Sequence, residues 1–281
     1  MINKDIVNEA INYIMTNIEN DISLDDVADY CHISKFHFSR IFKEETGESV
    51  YAFIKRVKLE QSAFRLKIDK NRSITEISMD YGYSSSNYSS AFRQHHNMSP
   101  VQFRKNIFEK SANVSEFNMH GEVFLSFEEC NANIEIMNMP EYRVLFERNF
   151  GDYNNLSFDW CSFTMKYKDL ISEDTIFIER TFDDPSVTDV NKCMYDICLT
   201  IPNDIECENS YIIDSGKYLV YHFNDHVSKI YYCYQSIFYN WLPNSKYTID
   251  KRYSYDIYRK INCDTMVMEI DFCIPVQYSK N

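Results

Sequence analysis

Five residues between Ser34 and Gly47 have types and spacing that suit chemistry on an anionic polymer: Lys35, Phe36, Ser39, Arg40 and Lys43. Read as a helix, the segment turns Phe38, Ile41 and Phe42 toward a core and leaves those five on its other faces. An arginine fork can bond a guanine edge bidentately, a phenyl ring can pack on a thymine methyl, and lysine ammonium groups suit phosphates. A second segment, 85–96, offers Ser85, Ser86, Ser89, Ser90 and Arg93. Hydroxyls bond bases and phosphates with little discrimination, so this segment is expected to be the less specific reader. A third set has different chemistry. Tyr153, Trp160, Tyr195 and Trp241 supply aromatic faces, and Glu269 and Asp271, two apart on one expected strand, share a face. Aromatic faces plus a carboxylate suit a hydrophobic cation, and the pattern does not choose between the two acids.

The first two sets belong to a repeat. Leu24, Val27, Ser34, Phe38, Ser39, Phe42, Gly47, Val50 and Phe53 recur 50 residues on as Ile74, Ile77, Ser84, Tyr88, Ser89, Phe92, Asn97, Pro100 and Phe103. Gly47 and Asn97 both suit the left-handed residue that comes after a helix. Two copies of a helix-turn-helix read this way, and that motif places its second helix in the major groove of DNA. The spacing predicts helices over 5–20 and 24–31, a turn at His32-Ile33, a helix capped by Ser34 that runs to Thr46, and a long helix over 50–68. In the second unit Ser73 caps a helix over 74–80, Tyr81-Gly82-Tyr83 turn, and helices cover 85–96 and 100–109. At 1.5 Å per residue the 50–68 helix is about 27 Å long, a rigid spacer for successive major grooves ~34 Å apart. His95 and His96 are adjacent and diverge by about 100°; they make a poor metal pair and read as surface or phosphate-facing residues.

From about residue 112 the helical period gives way to alternating and aromatic runs. Strands are expected at 132–138, 142–150, 174–181, 192–201, 209–214, 217–224, 252–260 and 265–274, and helices at 153–169 and 226–241. Tyr142-Arg143-Val144-Leu145-Phe146, followed by a helix near Trp160, parallels Tyr218-Leu219-Val220-Tyr221-His222, followed by a helix ending at Trp241. The expected architecture is therefore two domains: an all-α N-terminal double helix-turn-helix module (1–110) and an α+β C-terminal domain of two strand-helix-strand-strand repeats (132–281). Residues 111–131 read as a linker with a possible leading strand.

Charge supports this division. The 281-residue chain carries a net charge of −13, all of it from residues 111–281, with 14 Lys/Arg and 27 Asp/Glu. Residues 1–110 balance at 15 of each, and within them 33–110 hold 14 basic and 8 acidic groups. The positive excess lies on the elements expected to meet DNA, and binding is expected to weaken steeply with salt. Nine cysteines with no Cys-x-x-Cys spacing read as free thiols in a reducing cytoplasm. No transmembrane span, signal peptide, metal spacing or nucleophile–base pair is visible, so neither a membrane partner, a cofactor nor catalysis is expected.

The strings ISLDDVADYCHISKFHFSRIFKEETGESVYAFIKR and ITEISMDYGYSSSNYSSAFRQHHNMSPVQFR resemble the AraC/XylS family of transcription regulators across the seven-helix module. The resemblance implies two helix-turn-helix units on one face of double-stranded DNA, with Phe36, Ser39 and Arg40 at base-facing positions. Residues 132–277 resemble the gyrase-inhibitor-like, SoxS/Rob-type effector domain, through IEIMNMPEYRVLFERNFGDY, DDPSVTDVNKCMYDICLTI, SGKYLVYHFNDHVSKIYYCYQSIFYNWLP and MEIDFCIPV. That resemblance implies a small, cationic or aromatic effector held between the two halves, with the acid shortly before the Ile-Pro-Val ending. Together they imply a one-component cytoplasmic regulator, an activator that contacts RNA polymerase. A protein-binding adaptor role for the acidic domain is the alternative, and a hydrolase a more distant one.

Overall fold

The computed structural model describes residues 2–113, 124–151, 153–262 and 264–279. The chain forms two compact units, Met1–Ile107 and Phe108–Asn281.

The first unit is helical: α1 (Ile2–Thr16), α2 (Leu24–Tyr30), α3 (Lys35–Thr46), α4 (Val50–Ile68), α5 (Ile74–Asp80), α6 (Ser85–His96) and α7 (Pro100–Ser111), whose last four residues count with the second unit. Helices α2 and α3 start and stop 50 residues before α5 and α6. The boundaries have local causes that also repeat. Ser23 and Ser73 close capping boxes with Asp26 and Glu76, satisfying the first free amides of α2 and α5. Gly47 (φ 77°) and Asn97 (φ 56°) stop α3 and α6 in the left-handed conformation. The turn between the paired helices also needs one left-handed residue, filled by His32 (φ 56°) in the first copy and Gly82 (φ 77°) in the second. Each copy is held by a chain of rings. Phe42 lies 5.5 Å from Phe38 and 5.4 Å from Phe53, and Phe92 lies 5.3 Å from both Tyr88 and Phe103. The first helix differs from its expected span, running from Ile2 to Thr16, and at its end both the backbone and side-chain amides of Asn17 donate to the Tyr13 carbonyl.

Among the described residues the second unit holds α8 (Phe127–Asn131), α9 (Leu156–Lys166), α10 (Ile230–Ser236) with a π turn over Ile237–Trp241, and nine strands. These are β1 (Ile134–Met139), β2 (Tyr142–Phe150), β3 (Phe177–Thr181), β4 (Met194–Thr200), β5 (Ser210–Ile213), β6 (Gly216–His226), β7 (Tyr247–Ile249), β8 (Tyr255–Asn262) and β9 (Val267–Tyr278). The sheet order is β1-β6-β9-β8-β3-β4-β2-β5, all pairs antiparallel, with β7 added on β9. The expected halves, β2-α9-β3-β4 and β6-α10-β8-β9, meet at the β3–β8 seam. Their leading strands are exchanged: β1 pairs with β6 and β5 with β2. Yet β1 runs into β2, at the opposite end of the sheet, through Pro140-Glu141 alone. That connection spans at most ~10 Å, so the sheet must curl until its ends approach. The inner face closes on Val144, Phe146, Ile178, Tyr218, Tyr255, Ile257 and Cys273, while the outer face carries α9 against Leu145, Tyr195, Ile197 and Leu199.

The region expected as linker plus leading strand contains α8 instead, started by the capping box of Ser126 and Glu129; residues 114–123 lie outside the described residues.

Candidate nucleic-acid interface and ligand site

On α3 the buried side chains are Phe38, Ile41 and Phe42. Opposite them Phe36 stands 81% exposed, an apolar ring that burial in the monomer does not explain. Arg40 and Lys43 are exposed and Ser39 is half-buried. Arg40 is parked on Glu44 at 3.1 Å, an exposed i,i+4 pair, and Lys35 on Asp25 of α2 at 3.1 Å. Such pairs hold by about 1 kcal/mol at most, so both cations can turn to a stronger anion. On α6, Tyr88 and Phe92 face the core, and Ser85, Ser86, Ser89, Ser90 and Arg93 are exposed. Asn87 and Gln94 share that exposure. Their amides can pair with an adenine edge, a signal that inspection of hydroxyls and cations alone passes over. The histidines face inward rather than to solvent or phosphate. His95 Nε2 lies 3.2 Å from the buried Glu60, and the His96 ring packs on Phe92 and Phe103.

In the second unit the acids of β9 do not join the aromatic set. Side chains alternate along a strand, and α9 and α10 both lie over the face that carries Phe177, Tyr258 and Phe272. Asp271 precedes Phe272 and points to the other face. There it bonds His222 Nδ1 at 2.7 Å and Arg259 Nε at 2.8 Å. Glu269 shares its face and lies 3.8 Å from Lys260. Among the described residues the buried acids on the helix-bearing face are Glu179 and Asp256, directly opposed across the β3–β8 seam and only 4% and 6% exposed; Glu147 of β2, on the same face, is held by Lys166 and Tyr167 at the end of α9. The Tyr258 hydroxyl donates to Glu179 at 2.6 Å, and the Tyr234 hydroxyl donates to Asp256. Trp160 packs on Tyr258 and Phe177, and its buried indole N–H, without a hydrogen bond of good geometry, also acts on Glu179. Burial pushes the Glu179 carboxyl up to about 6 against the pull of Tyr258 and Trp160. Burial and the neighbouring Glu179 together push Asp256 well above the usual range. Sequence reasoning missed both because each is a lone acid in its strand; they become a pair only through β3–β8 pairing.

The aromatic residues divide. Tyr153 stacks on Tyr195 at 5.3 Å, and the Tyr195 hydroxyl donates to Asp159 of α9 at 2.6 Å, so these two stay in the α9 half with Trp160. Trp241 does not join them. It lies between Phe127 and Tyr247, with its N–H donated to Asn131 at 3.0 Å. Trp160 is the fifth residue of α9, whereas Trp241 closes the π turn Ile237–Trp241 that follows α10, so the two tryptophans are not equivalent in space. Among the described residues no group of His, Cys, Asp and Glu is arranged to hold a metal, and no helix is long and apolar enough to cross a membrane.

Residues 27–106 match a helix-turn-helix domain family, and residues 132–277 match the GyrI-like small molecule binding domain. The chain is 30% identical over 106 residues to the probable transcription factor PqrA of Proteus vulgaris, covering 37% of this chain and 86% of that protein. It is 29% identical over 101 residues to the transcriptional regulator Rob of Salmonella typhimurium, covering 36% of this chain and about a third (35%) of Rob's length. Among solved structures, an AraC-type transcriptional regulator from Chromobacterium violaceum is 29% identical over 36% of this chain and 90% of that one, with a TM-score of 0.34. The EcmrR chain of an EcmrR–DNA complex covers 96% of this chain and 94% of that one at 11% identity and a TM-score of 0.46.

Proposed function

Because the chain belongs to the GyrI-like small-molecule-binding family and to the AraC-type helix-turn-helix transcription regulators, we propose that it senses a lipophilic, aromatic cation at Glu179 and Asp256. The observation that carries this reading is the acid pair itself. Two carboxyls sit buried at the seam of the halves, and their polar partners there are the Tyr258 and Tyr234 hydroxyls and the Trp160 indole. Ordinary structural acids are paired with cations when buried; this pair is ringed by aromatic faces, which attract a cation without an anion of their own. Trp160, Tyr153, Tyr234 and Tyr258 serve as walls, while Tyr195 orients α9 through Asp159 and Trp241 anchors α8.

Titration of intrinsic fluorescence with a quaternary-ammonium dye tests this. Saturable quenching is expected in the wild type and in Trp241→Phe, and its loss in Trp160→Phe and in Glu179→Gln. Quenching carried by Trp241, or unaffected by Glu179→Gln, would contradict the assignment.

On DNA, Arg40 reads a guanine edge, Phe36 packs on a thymine methyl, Ser39 supports them, and Lys35 and Lys43 hold phosphates; Ser85, Ser86, Ser89, Ser90 and Arg93 form a looser second grip. Effector binding then biases the regulator between two states that differ in effector affinity. We assign activation, with RNA polymerase as partner, and the check is a reporter that loses expression when the gene is deleted.

A second reading rests on α9, where Phe158 and Met165 are 73% and 70% exposed on an acidic unit. It makes this unit a protein-binding adaptor; a pull-down without added small molecule that recovers a partner with the wild type and loses it with Phe158→Ser is expected, and one that recovers none with the wild type would dismiss it.

A further inference from the structure

The 50-residue repeat accounts for each helix-turn-helix unit separately, but it cannot build the joint between them, because a joint is made once. The places where the repeat breaks in charge therefore mark it. Glu48, Arg56 and Glu60 stand where the second copy has Met98, Asn106 and Lys110, and His95 stands where the first copy has Glu45. The structure gathers these four. Arg56 Nε and Nη2 donate to Glu48 Oε1 at 2.9 and 2.7 Å, and Arg56 Nη1 donates to Glu60 Oε2 at 2.9 Å. Glu60 Oε1 lies 3.2 Å from His95 Nε2. The Arg56 guanidinium also covers the Phe53 ring at 5.0 Å.

Each link joins a different element. Glu48 lies just past the end of α3, Arg56 and Glu60 are one turn apart on α4, and His95 is in the last turn of α6. The chain of polar contacts thus runs from the end of one motif's second helix, through the spacer, to the end of the other's. A buried bond from Tyr88 of α6 to Ser62 of α4, at 2.9 Å, runs parallel to it. Arg56 and Glu60 are buried, so neither can exchange its partner for water without leaving an unpaired buried charge. A hydrophobic contact could let α6 slide on α4; a forked guanidinium between two carboxylates fixes an angle.

We infer that Arg56, Glu60 and His95 are positioning residues that fix the angle between α3 and α6, and so make DNA binding depend on the spacing of the two segments read. The inference rests on the reading of two DNA-contacting units in one chain. The test uses the full chain and a duplex selected from a random library by the wild type. Three forms are compared: the intact duplex, one with the second segment scrambled, and one with two base pairs inserted between segments. The wild type is expected to favour the intact duplex strongly and to lose that gain on insertion. His95→Ala is expected to keep single-segment affinity within about twofold, to lose about tenfold on the intact duplex, and to tolerate the insertion. Glu60→Gln, which keeps its shape, is the second variant, and thermal melting verifies that each is folded. Equal losses on the intact and single-segment duplexes, or an unchanged spacing preference in both variants, overturn the inference. A wild type indifferent to the second segment would instead sink the two-unit reading on which it rests.

Discussion

Glu179 shows how much a single carboxyl depends on its surroundings. Its ordinary value is 4.5, and burial takes it to about 6. The native state therefore keeps a proton that the unfolded chain gives up between those values, and the group's contribution to stability falls as pH rises through that window. The loss is about 2 kcal/mol, at about 1.4 kcal/mol per unit. Glu179→Gln should melt higher than wild type at pH 7.5 and no higher at pH 4.5; an equal difference at both would refute the coupling. Occupation by a cation pulls the same carboxyl back down, so dye affinity should strengthen from pH 5 to pH 7 with proton release, and a flat profile would count against Glu179 as the contact. On the DNA side, Arg40→Ala should lose about 1–3 kcal/mol on a selected duplex and relax its base preference. Equal binding by variant and wild type would dismiss the base contact. Arg40 and Phe36 stood out in the sequence because a helix period shows its outer face. Glu179 and Asp256 did not, because their meaning lies across a strand pair.

Among elements, the helix ends were the most legible features. Serine caps and the left-handed stops are set by a few neighbouring atoms, and the same positions recur 50 residues apart. Gly47 isolates that local term: a Cβ there would meet nothing within 4 Å, yet φ is +77°. Gly47→Ala should therefore cost about 1 kcal/mol, seen as a lower melting temperature with unchanged base preference. A neutral result would mean the helix end shifts freely. The elements that were missed are short and bound to others. β7, Tyr247–Ile249, exists only by pairing with the end of β9. The π turn over Ile237–Trp241 is a five-residue extension of α10. Trp160 is the fifth residue of α9 and the fifth residue of α10 is Tyr234, so Trp241 lies two turns further along and packs elsewhere.

For the whole molecule, the uneven charge sets how DNA binding responds to salt. Residues 33–110 carry the positive excess and residues 111–281 the entire −13, so affinity should fall linearly on a logarithmic salt scale. Lys35→Ala should reduce that slope by about 1 with base preference kept; an unchanged slope would move Lys35 off the phosphates. The two units, the duplicated helix-turn-helix, the paired halves of the second unit and the outer face of α3 are legible along the chain. Each of these is written in periodicity, spacing or charge along the chain, and local sterics and burial convert such patterns into helices and strands. Folding in three dimensions is what makes β1 and β5 exchange halves, turns Glu269 and Asp271 away from the helices, brings Glu179 to Asp256, and joins Glu48 to Glu60 through Arg56. The reason is that strand order and register bring together residues far apart in the chain, and a one-residue step along a strand moves a side chain to the opposite face of the sheet.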